Sequence, residues 1–325
     1  MIKIIGIGNA LMDVLALLES DNTLAELHLN KGGMVLIGDD EQERISAFLS
    51  QLHPTTATGG SAGNAMLALA NLGAKPGFIG RVGTDEMGSR LRECYDKVGI
   101  DARLIESAEH TGIANTFITP DGERTFATCL GAAALMQADE LRDDMLEGYD
   151  LLHIEGYLVQ NHQLIEAVAQ MAKARHMTIS IDLASYNVVA SDLEFFRHLV
   201  ENYVDIVFAN EEESAAFTSG KSPEEALEEI AAMCEVAVVK VGSKGALAMR
   251  KDVKTSVPGQ KINVIDTTAA GDFFAGGFLY AWSKGASLED CLYAGTLLAT
   301  NVIQVVGTRL SDDKWTSIRA QLAHL

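Results

Sequence analysis

Basic residues are scarce in this chain: 25 lysines and arginines stand against 45 aspartates and glutamates, a formal net charge of −20. A nucleic-acid binder must offer basic groups to phosphates, so that partner class is excluded. A small anionic ligand is not, because backbone amides, a helix N-terminus or a metal can supply local positive potential. Cysteine is scarce too. Cys94, Cys129, Cys234 and Cys291 lie far apart with no C-x-x-C, so their spacing suggests neither a zinc motif nor a disulfide framework, as in a reducing compartment. No apolar run approaches the roughly 18 residues that span a bilayer, and MIKIIGIGNALMD at the start lacks the apolar stretch of a signal peptide. These features predict a cytoplasmic protein with no membrane partner. Aromatics make up only 6% of residues, too few to locate a ring-stacking box; Phe117, Phe126 and Tyr157 read equally well as core.

What is present is a large core. Hydrophobic residues are 48% of 325, enough for one large domain, alone or with a small one. Short apolar runs (KIIGIG, PGFIGRVG, YDLLHIEG, MTISIDLA, VDIVFAN, VAVVKVG) alternate with helical segments such as NAMLALANLG, QLIEAVAQMAKARH and PEEALEEIAAMCE. This alternation predicts a three-layer α/β/α fold with a mostly parallel central sheet. Ligands in such folds sit beyond the carboxyl ends of the strands. Two stretches break the pattern, residues 14–40 and 101–128, with GMVLIG, GIANTFIT and ERTFATCL and the turn PDGE at 120–123. Pro-Asp-Gly between β-like runs is a hairpin signal. They predict a small β-sheet lid, leaving 1–13, 41–100 and 129–325 to the large domain.

Several glycine motifs compete for a function. GKS at 220–222 lacks the earlier glycine of a P-loop, since position 215 is Ala215; Ser222, Pro223 and Glu225 read instead as N-cap, first helical residue and capping box. GGSAG at 59–63 matches the nucleophile elbow of a serine hydrolase, with Ser61 as nucleophile. However, HPTTAT before it is a poor buried strand, and the last histidine is His324, near the chain end. GIGNAL at 6–11 lacks the third glycine of a dinucleotide fingerprint. GSKG at 242–245 follows a strand and is either a tight turn or a backbone bare enough to lie along a nucleotide. NEEE at 210–213 opens a helix, where acids either complement the dipole or hold hydrated magnesium.

DTTAAGD at 266–272 ends an apparent strand, INVI, and begins a long helix from about Ala270 to Lys284. Its small residues leave the first helical amides uncovered, and uncovered amides with the helix dipole make an anion site. Asp272 beside that anion is either a cap or a base acting on an attacking hydroxyl.

Taken together, the motifs resemble the PfkB carbohydrate and nucleoside kinase family, also called ribokinase-like. DTTAAGDFFAGGF is similar to its carboxy-terminal signature, and GGSAGN with LGAKPGFIGRVGTDEMG to its amino-terminal one. NEEE is similar to its N-x-x-E element and VKVGSKG to its nucleotide-binding strand and turn. The resemblance implies that Asp272 is the catalytic base. The amides of Ala269, Ala270 and Gly271, with that of Asp272, would form the anion hole for the transferring phosphoryl group. It implies that Asn9, Asp13, Gly60, Ser61, Asn64 and Glu155 hold the acceptor, and that Asn210, Gly242, Gly245 and Asn301 line the nucleotide. ATP would be the donor, with magnesium organised through water by Glu213. Backbone oxygens of Asp266 and Thr268 would hold a monovalent cation such as potassium. The family often has threonine where this chain has Lys240, so no contact is carried over there.

GNALMD and TGIANTFITPDGERTFATCLGAA resemble the adenosine-kinase versions of those elements, implying transfer to the 5′-hydroxyl of adenosine. A free sugar (ribose, fructose or 2-keto-3-deoxygluconate) is the alternative acceptor. The resemblance allows a monomer or a lid-mediated homodimer.

Overall fold

The computed structural model describes residues 1–121 and 123–325. Its first seven strands are β1 (Ile4–Ile7), β2 (Leu11–Leu17), β3 (Met34–Leu36), β4 (Thr55–Gly59), β5 (Gly77–Gly83), β6 (Asp101–Ser107) and β7 (Gly112–Ile118). Then come β8 (Arg124–Cys129), β9 (Leu151–Glu155), β10 (Thr178–Asp182), β11 (Ile206–Asn210), β12 (Val236–Lys240), β13 (Gly245–Arg250) and β14 (Val253–Pro258). They form a large sheet in the order β14-β13-β12-β11-β10-β9-β1-β5-β6 and a small one in the order β3-β8-β7-β2-β4.

The six apolar runs become β1, β5, β9, β10, β11 and β12, all parallel in the large sheet. Both faces must be apolar because helices cover both. Successive residues serve opposite layers: Phe208 and Val238 join one core with Met66, Phe273 and Phe278. Val207 and Val239 join the other with Ile165, Phe196 and Leu227. The first layer contains the helices Ser61–Asn71, Ala270–Ser283 and Leu288–Val302, and the second His162–Ala174, Leu193–Asn202 and Pro223–Ala231. The expected caps of Pro223–Ala231 are all formed: Ser222 is the N-cap, Pro223 opens the helix, and Glu225 closes a reciprocal capping box. Among the described residues, no helix is long and apolar enough to cross a membrane.

The lid has its own core, in which Val14, Ala16, Phe117 and Ala127 pack on Leu24, Ile45 and Leu49. β7 and β8 pair antiparallel, as the hairpin signal predicts; Gly122 of the PDGE turn lies outside the described residues. The expected lid boundaries need correction at three places. β2 begins at Leu11, and Thr55–Gly59, assigned to the large domain by sequence, is a lid strand paired antiparallel with β2. It fits because Gly59 leaves room for the Asp13 carboxylate, whose Oδ1 lies 2.1 Å from where a Gly59 Cβ would be. Conversely, β6 belongs to the large sheet, beside β5. Gly99, left-handed at φ 79°, ends the preceding helix and returns the chain to that edge. A fourth correction concerns INVI: residues 262–265 form no strand. Val264 and Ile265 are half exposed, and the amide of Ile265 bonds the carbonyl of Ile303, just past the Leu288–Val302 helix, instead of a strand partner.

Candidate active site

Asp272 lies in the first turn of the Ala270–Ser283 helix, but it is not a cap. Its Oδ1 accepts from Ser61 Oγ at 2.7 Å and its Oδ2 from Asn64 Nδ2 at 2.9 Å, while the N-cap position belongs to Ala269. Ser61 and Asn64 open a different helix, one turn apart on the same face. Burial pushes the Asp272 carboxyl up to about 6, with the two hydrogen bonds and Lys240 pulling down and Asp182 pushing up. The Oδ1 of Asn64 is buried with no hydrogen-bond partner, a vacant acceptor beside the carboxylate.

The helix begins abruptly because Ala269 is left-handed, at φ 58°, a conformation uncommon outside glycine and a local strain. The amides of Ala269, Gly271 and Asp272 make no hydrogen bond among the described residues, whereas that of Ala270 donates to the Thr267 carbonyl at 3.2 Å. Three free amides at a helix start are a geometry that suits an anion; the Ala270 amide is already partly spent in the turn.

Lys240 brings a positive charge to the same helix start. Its Nζ lies 3.1 Å from where a Gly271 Cβ would be and donates to Asp182 Oδ2 at 2.9 Å. Burial works against its charge, but Asp182, Glu213 and the hydrogen bond to Asp182 outweigh it and raise its pKa. Asn210 and Glu213 form a reciprocal capping box: the Asn210 amide and Nδ2 each donate to Glu213 at 2.7 Å, and the Glu213 amide donates back to Asn210 Oδ1. With both oxygens engaged and 3% exposure, Glu213 suits a water-mediated role toward a cation and not a direct one. The Asp182 and Glu213 carboxylates are the hard oxygen donors that magnesium takes.

The lid contributes Asp13 and Arg124. Burial pushes the Asp13 carboxyl up to about 8, with Asp272 and Asp266 adding to the rise and Arg124 opposing it. Arg124, on β8, is ion-paired with the fully buried Asp266 carboxylate and donates to Thr268 Oγ1 at 2.7 Å. Asp266 also accepts from the amides of Thr268 and Gly307, at 2.8 and 2.6 Å. One carboxylate thus ties the lid to the loop that turns into the anion site.

Two cavities meet there. The larger, about 1050 Å³, runs from Asp13 and Asp272 past Lys240 to Gly242, Gly245 and Val264. Gly245 has φ 110°, and a Cβ on it would lie 2.0 Å from the Val257 carbonyl oxygen, so this turn requires glycine. The smaller, about 600 Å³, is walled by Asn9, Leu36, Leu130, Leu158 and Val188 and shares Leu11, Gly60, Ser61 and Tyr157 with the first. Gly60 is irreplaceable at the junction: at φ 81°, a Cβ would strike the Asn9 carbonyl oxygen at 2.1 Å. Glu155 reaches this wall, but its oxygens accept from Asn9 Nδ2 at 2.6 Å and the Ala62 amide at 3.1 Å. Burial pushes its carboxyl up to about 7, against those hydrogen bonds. Asn301 needs correction. Thr296, Ala299, Thr300 and Ile303 line the larger cavity, whereas Asn301 bonds the Leu297 carbonyl and Lys314. Residue 301 is rotated about 100° from residue 300 and misses that face.

The sequence matches the pfkB family carbohydrate kinase description over residues 35–315. The chain belongs to the pfkB family. Its members are kinases that use ATP to phosphorylate hydroxyl groups, and this one is a sugar or nucleoside kinase. It is similar to a probable sugar kinase from Rhizobium etli CFN 42, at TM-score 0.88 and 32% identity over 99% of both chains. An adenosine kinase from Sinorhizobium meliloti is similar at TM-score 0.88 and 31% identity, covering 98% of this chain and 99% of that one. Among curated proteins, the ribokinase of Haemophilus influenzae is 26% identical over 92% of this chain and 94% of its own.

Family membership disposes of the serine hydrolase reading, as does geometry: the partner of Ser61 is the Asp272 carboxylate, not an imidazole. Sequence reasoning on this pfkB kinase missed Arg124, Asp182 and Lys240. Asp182 carried a signal, an acid at the carboxyl end of a predicted strand. Lys240, at the end of the predicted strand VAVVKVG, carried the same positional signal, though no contact was carried over to it; Arg124 carried none, since nothing in its spacing says that a lid strand reaches that loop. Of Phe117, Phe126 and Tyr157, only Tyr157 lines the two cavities; Phe117 is in the lid core.

Proposed function

We propose that this pfkB kinase transfers the γ-phosphoryl group of ATP to the 5′-hydroxyl of a nucleoside, with adenosine as the first candidate. The observation that carries the acceptor is the second cavity. Its rim includes Met34 and Leu36, which are 55% and 51% exposed. A free pentose offers little to apolar walls, whereas a base would cover them. The sugar of the nucleoside then lies at the junction. Asp13 and Asn64 take its hydroxyls, Gly60 and Ser61 provide the floor, and Glu155 positions Asn9 and the Ala62 amide without touching the reacting atoms.

Asp272 accepts the proton of the attacking hydroxyl as the P–O bond forms. Its raised pKa leaves it ionised at neutral pH and more basic than an exposed aspartate. The amides of Ala269, Gly271 and Asp272, with Ala270 contributing less, face the phosphoryl oxygens, and Lys240 adds a full positive charge. Gly242 and Gly245 lie along the nucleotide. Asn210, Glu213 and Asp182 would hold magnesium, largely through water, and the ion would supply charge neutralisation to the phosphates. Arg124, paired with Asp266 and bonded to Thr268 Oγ1, joins lid position to the shape of the 266–269 loop. Potassium at the Asp266 and Thr268 backbone oxygens rests on resemblance alone, and Arg124 already compensates the Asp266 charge.

The free-sugar reading keeps the same base and anion site and is supported by the ribokinase likeness. A coupled ADP-release assay with Mg-ATP separates the two, using adenosine, other nucleosides, ribose, fructose and 2-keto-3-deoxygluconate. Turnover with adenosine far above the sugars is the expected result. Turnover with one free sugar and none with any nucleoside overturns the acceptor assignment and leaves the phosphotransfer chemistry standing.

A further inference from the structure

We propose that Asp39, His110 and Cys129 form a binding site for one zinc-type transition-metal ion, at the base of the lid and apart from the phosphotransfer site. The three residues come from different elements. Asp39 begins the Asp39–Leu49 helix that packs on the lid core, His110 lies in the turn between β6 and β7, and Cys129 ends β8. They form the one such group of potential ligands among the described residues.

The argument is geometric. His110 Nε2 is 3.0 Å from Asp39 Oδ1, Cys129 Sγ is 3.5 Å from the same oxygen, and Sγ to Nε2 is 3.7 Å. A tetrahedral zinc, with nitrogen and oxygen at about 2.0 Å and sulfur at about 2.3 Å, separates its N and O ligands by about 3.3 Å. It separates sulfur from either by about 3.5 Å. The triangle here agrees within a few tenths of an ångström on every side.

The orientation of the imidazole strengthens the case. His110 Nδ1 lies 2.9 Å from the Thr111 carbonyl oxygen, which only accepts, so Nδ1 carries a proton. In the neutral ring Nε2 then presents a lone pair toward a carboxylate oxygen and a sulfur. Without a metal the thiol proton is shared with Asp39 Oδ1; a metal ion would replace that proton and be met by three converging ligand atoms. An Nδ1–H bonded to a backbone carbonyl is also the usual support of a metal-ligating histidine. The ring is seated in advance: a Cβ on Gly131 would lie 2.7 Å from its Cε1 and 2.8 Å from its Nδ1. On metal binding the Cys129 thiol would release its proton to solvent.

The ligand types choose the ion. Thiolate with imidazole favours zinc and its neighbours over magnesium or calcium, which take oxygen. Access and a fourth position exist, because Asp39 is largely exposed and the group borders a cavity of about 430 Å³ with Leu36, Glu109 and Leu135. A bound metal would tie the end of a lid strand to the edge of the large sheet.

The test titrates the full-length protein, stripped with chelator and kept reduced, with Co²⁺ as the probe. One equivalent should bind with a near-ultraviolet thiolate-to-cobalt band, and Zn²⁺ should displace it. Cys129→Ser should abolish the band, and Asp39→Asn and His110→Gln should each weaken Zn²⁺ about 10-fold or more. If Cys129→Ser does not fold, the other two variants decide. No thiolate band in the wild-type chain, a band undiminished in Cys129→Ser, or Zn²⁺ affinity unchanged in both other variants overturns the site. The kinase assignment is independent of either result.

Discussion

Asn64 donates from Nδ2 to Asp272 Oδ2 at 2.9 Å while its own Oδ1 is buried without a partner. In the proposed mechanism this side chain would do two jobs, orienting the base and offering an acceptor to a substrate hydroxyl. A buried, unsatisfied amide oxygen costs about 1–3 kcal/mol, a cost that a bound acceptor would relieve.

Asp272→Asn preserves shape and removes the base. Turnover should fall by about 10²–10⁴-fold while ATP still raises the melting temperature. Steady-state kinetics with a thermal-shift control checks both, and near-normal turnover would reduce Asp272 to a structural residue.

Asn64→Ala removes a hydrogen bond that holds the Asp272 pKa down. The base then protonates at higher pH. The acid limb of kcat/KM, expected near pH 6 in the wild-type enzyme, should move toward neutrality in the variant. A pH–rate profile reads this directly, and an unmoved limb would show that Asp272 is not the titrating group.

Lys240→Met withdraws the positive charge beside Gly271. We expect kcat/KM for ATP to fall about 10–100-fold, the worth of a charge-assisted hydrogen bond, with little change in acceptor KM. Loss confined to acceptor binding would place Lys240 outside the phosphate site.

Arg124→Met leaves the buried Asp266 without its cation, and breaking such a pair costs about 3–5 kcal/mol. The variant should lose stability and activity together. Adding Asp266→Asn should restore much of the melting temperature and not the turnover. Recovery of both would make the pair purely structural.

Asp13 sets a pH dependence whose sign follows from linkage. Its carboxyl is pushed up to about 8 in the folded chain, against about 3.9 when unfolded. The folded state thus holds the proton more tightly. That stabilisation is complete below the unfolded value and is lost as pH rises toward 8. In the ligand-free enzyme, Asp13→Asn should raise the melting temperature at pH 8 and change it little at pH 4. Acceptor turnover should fall about 10–100-fold. Differential scanning fluorimetry at the two pH values tests the sign.

Much of this architecture was legible in local pattern. Short apolar runs between helical segments state a buried strand whatever surrounds them, and all six runs became mutually parallel strands of one mostly parallel sheet. Small residues before Asp272 announced uncovered amides, and those of Ala269, Gly271 and Asp272 have no partner among the described residues. Distance along the chain hid the rest. Thr55–Gly59 joined the lid because Asp13, far away in sequence, packs over Gly59. INVI read as a strand and became the wall of a cavity. Asn301 sat in the right helix on the wrong face.

By itself the sequence determined the element types, their order and the chemistry available at each loop, since these depend on residues a few positions apart. Tertiary structure alone decided which loops meet. It brought Ser61 and Asn64 onto Asp272, Lys240 to Gly271, Arg124 to Asp266, and Asp39 and His110 to Cys129. Such meetings are fixed by the crossing of elements that pack as whole units. A charged side chain's partner therefore depends on the packing of every strand and helix between the two, and no local spacing encodes it.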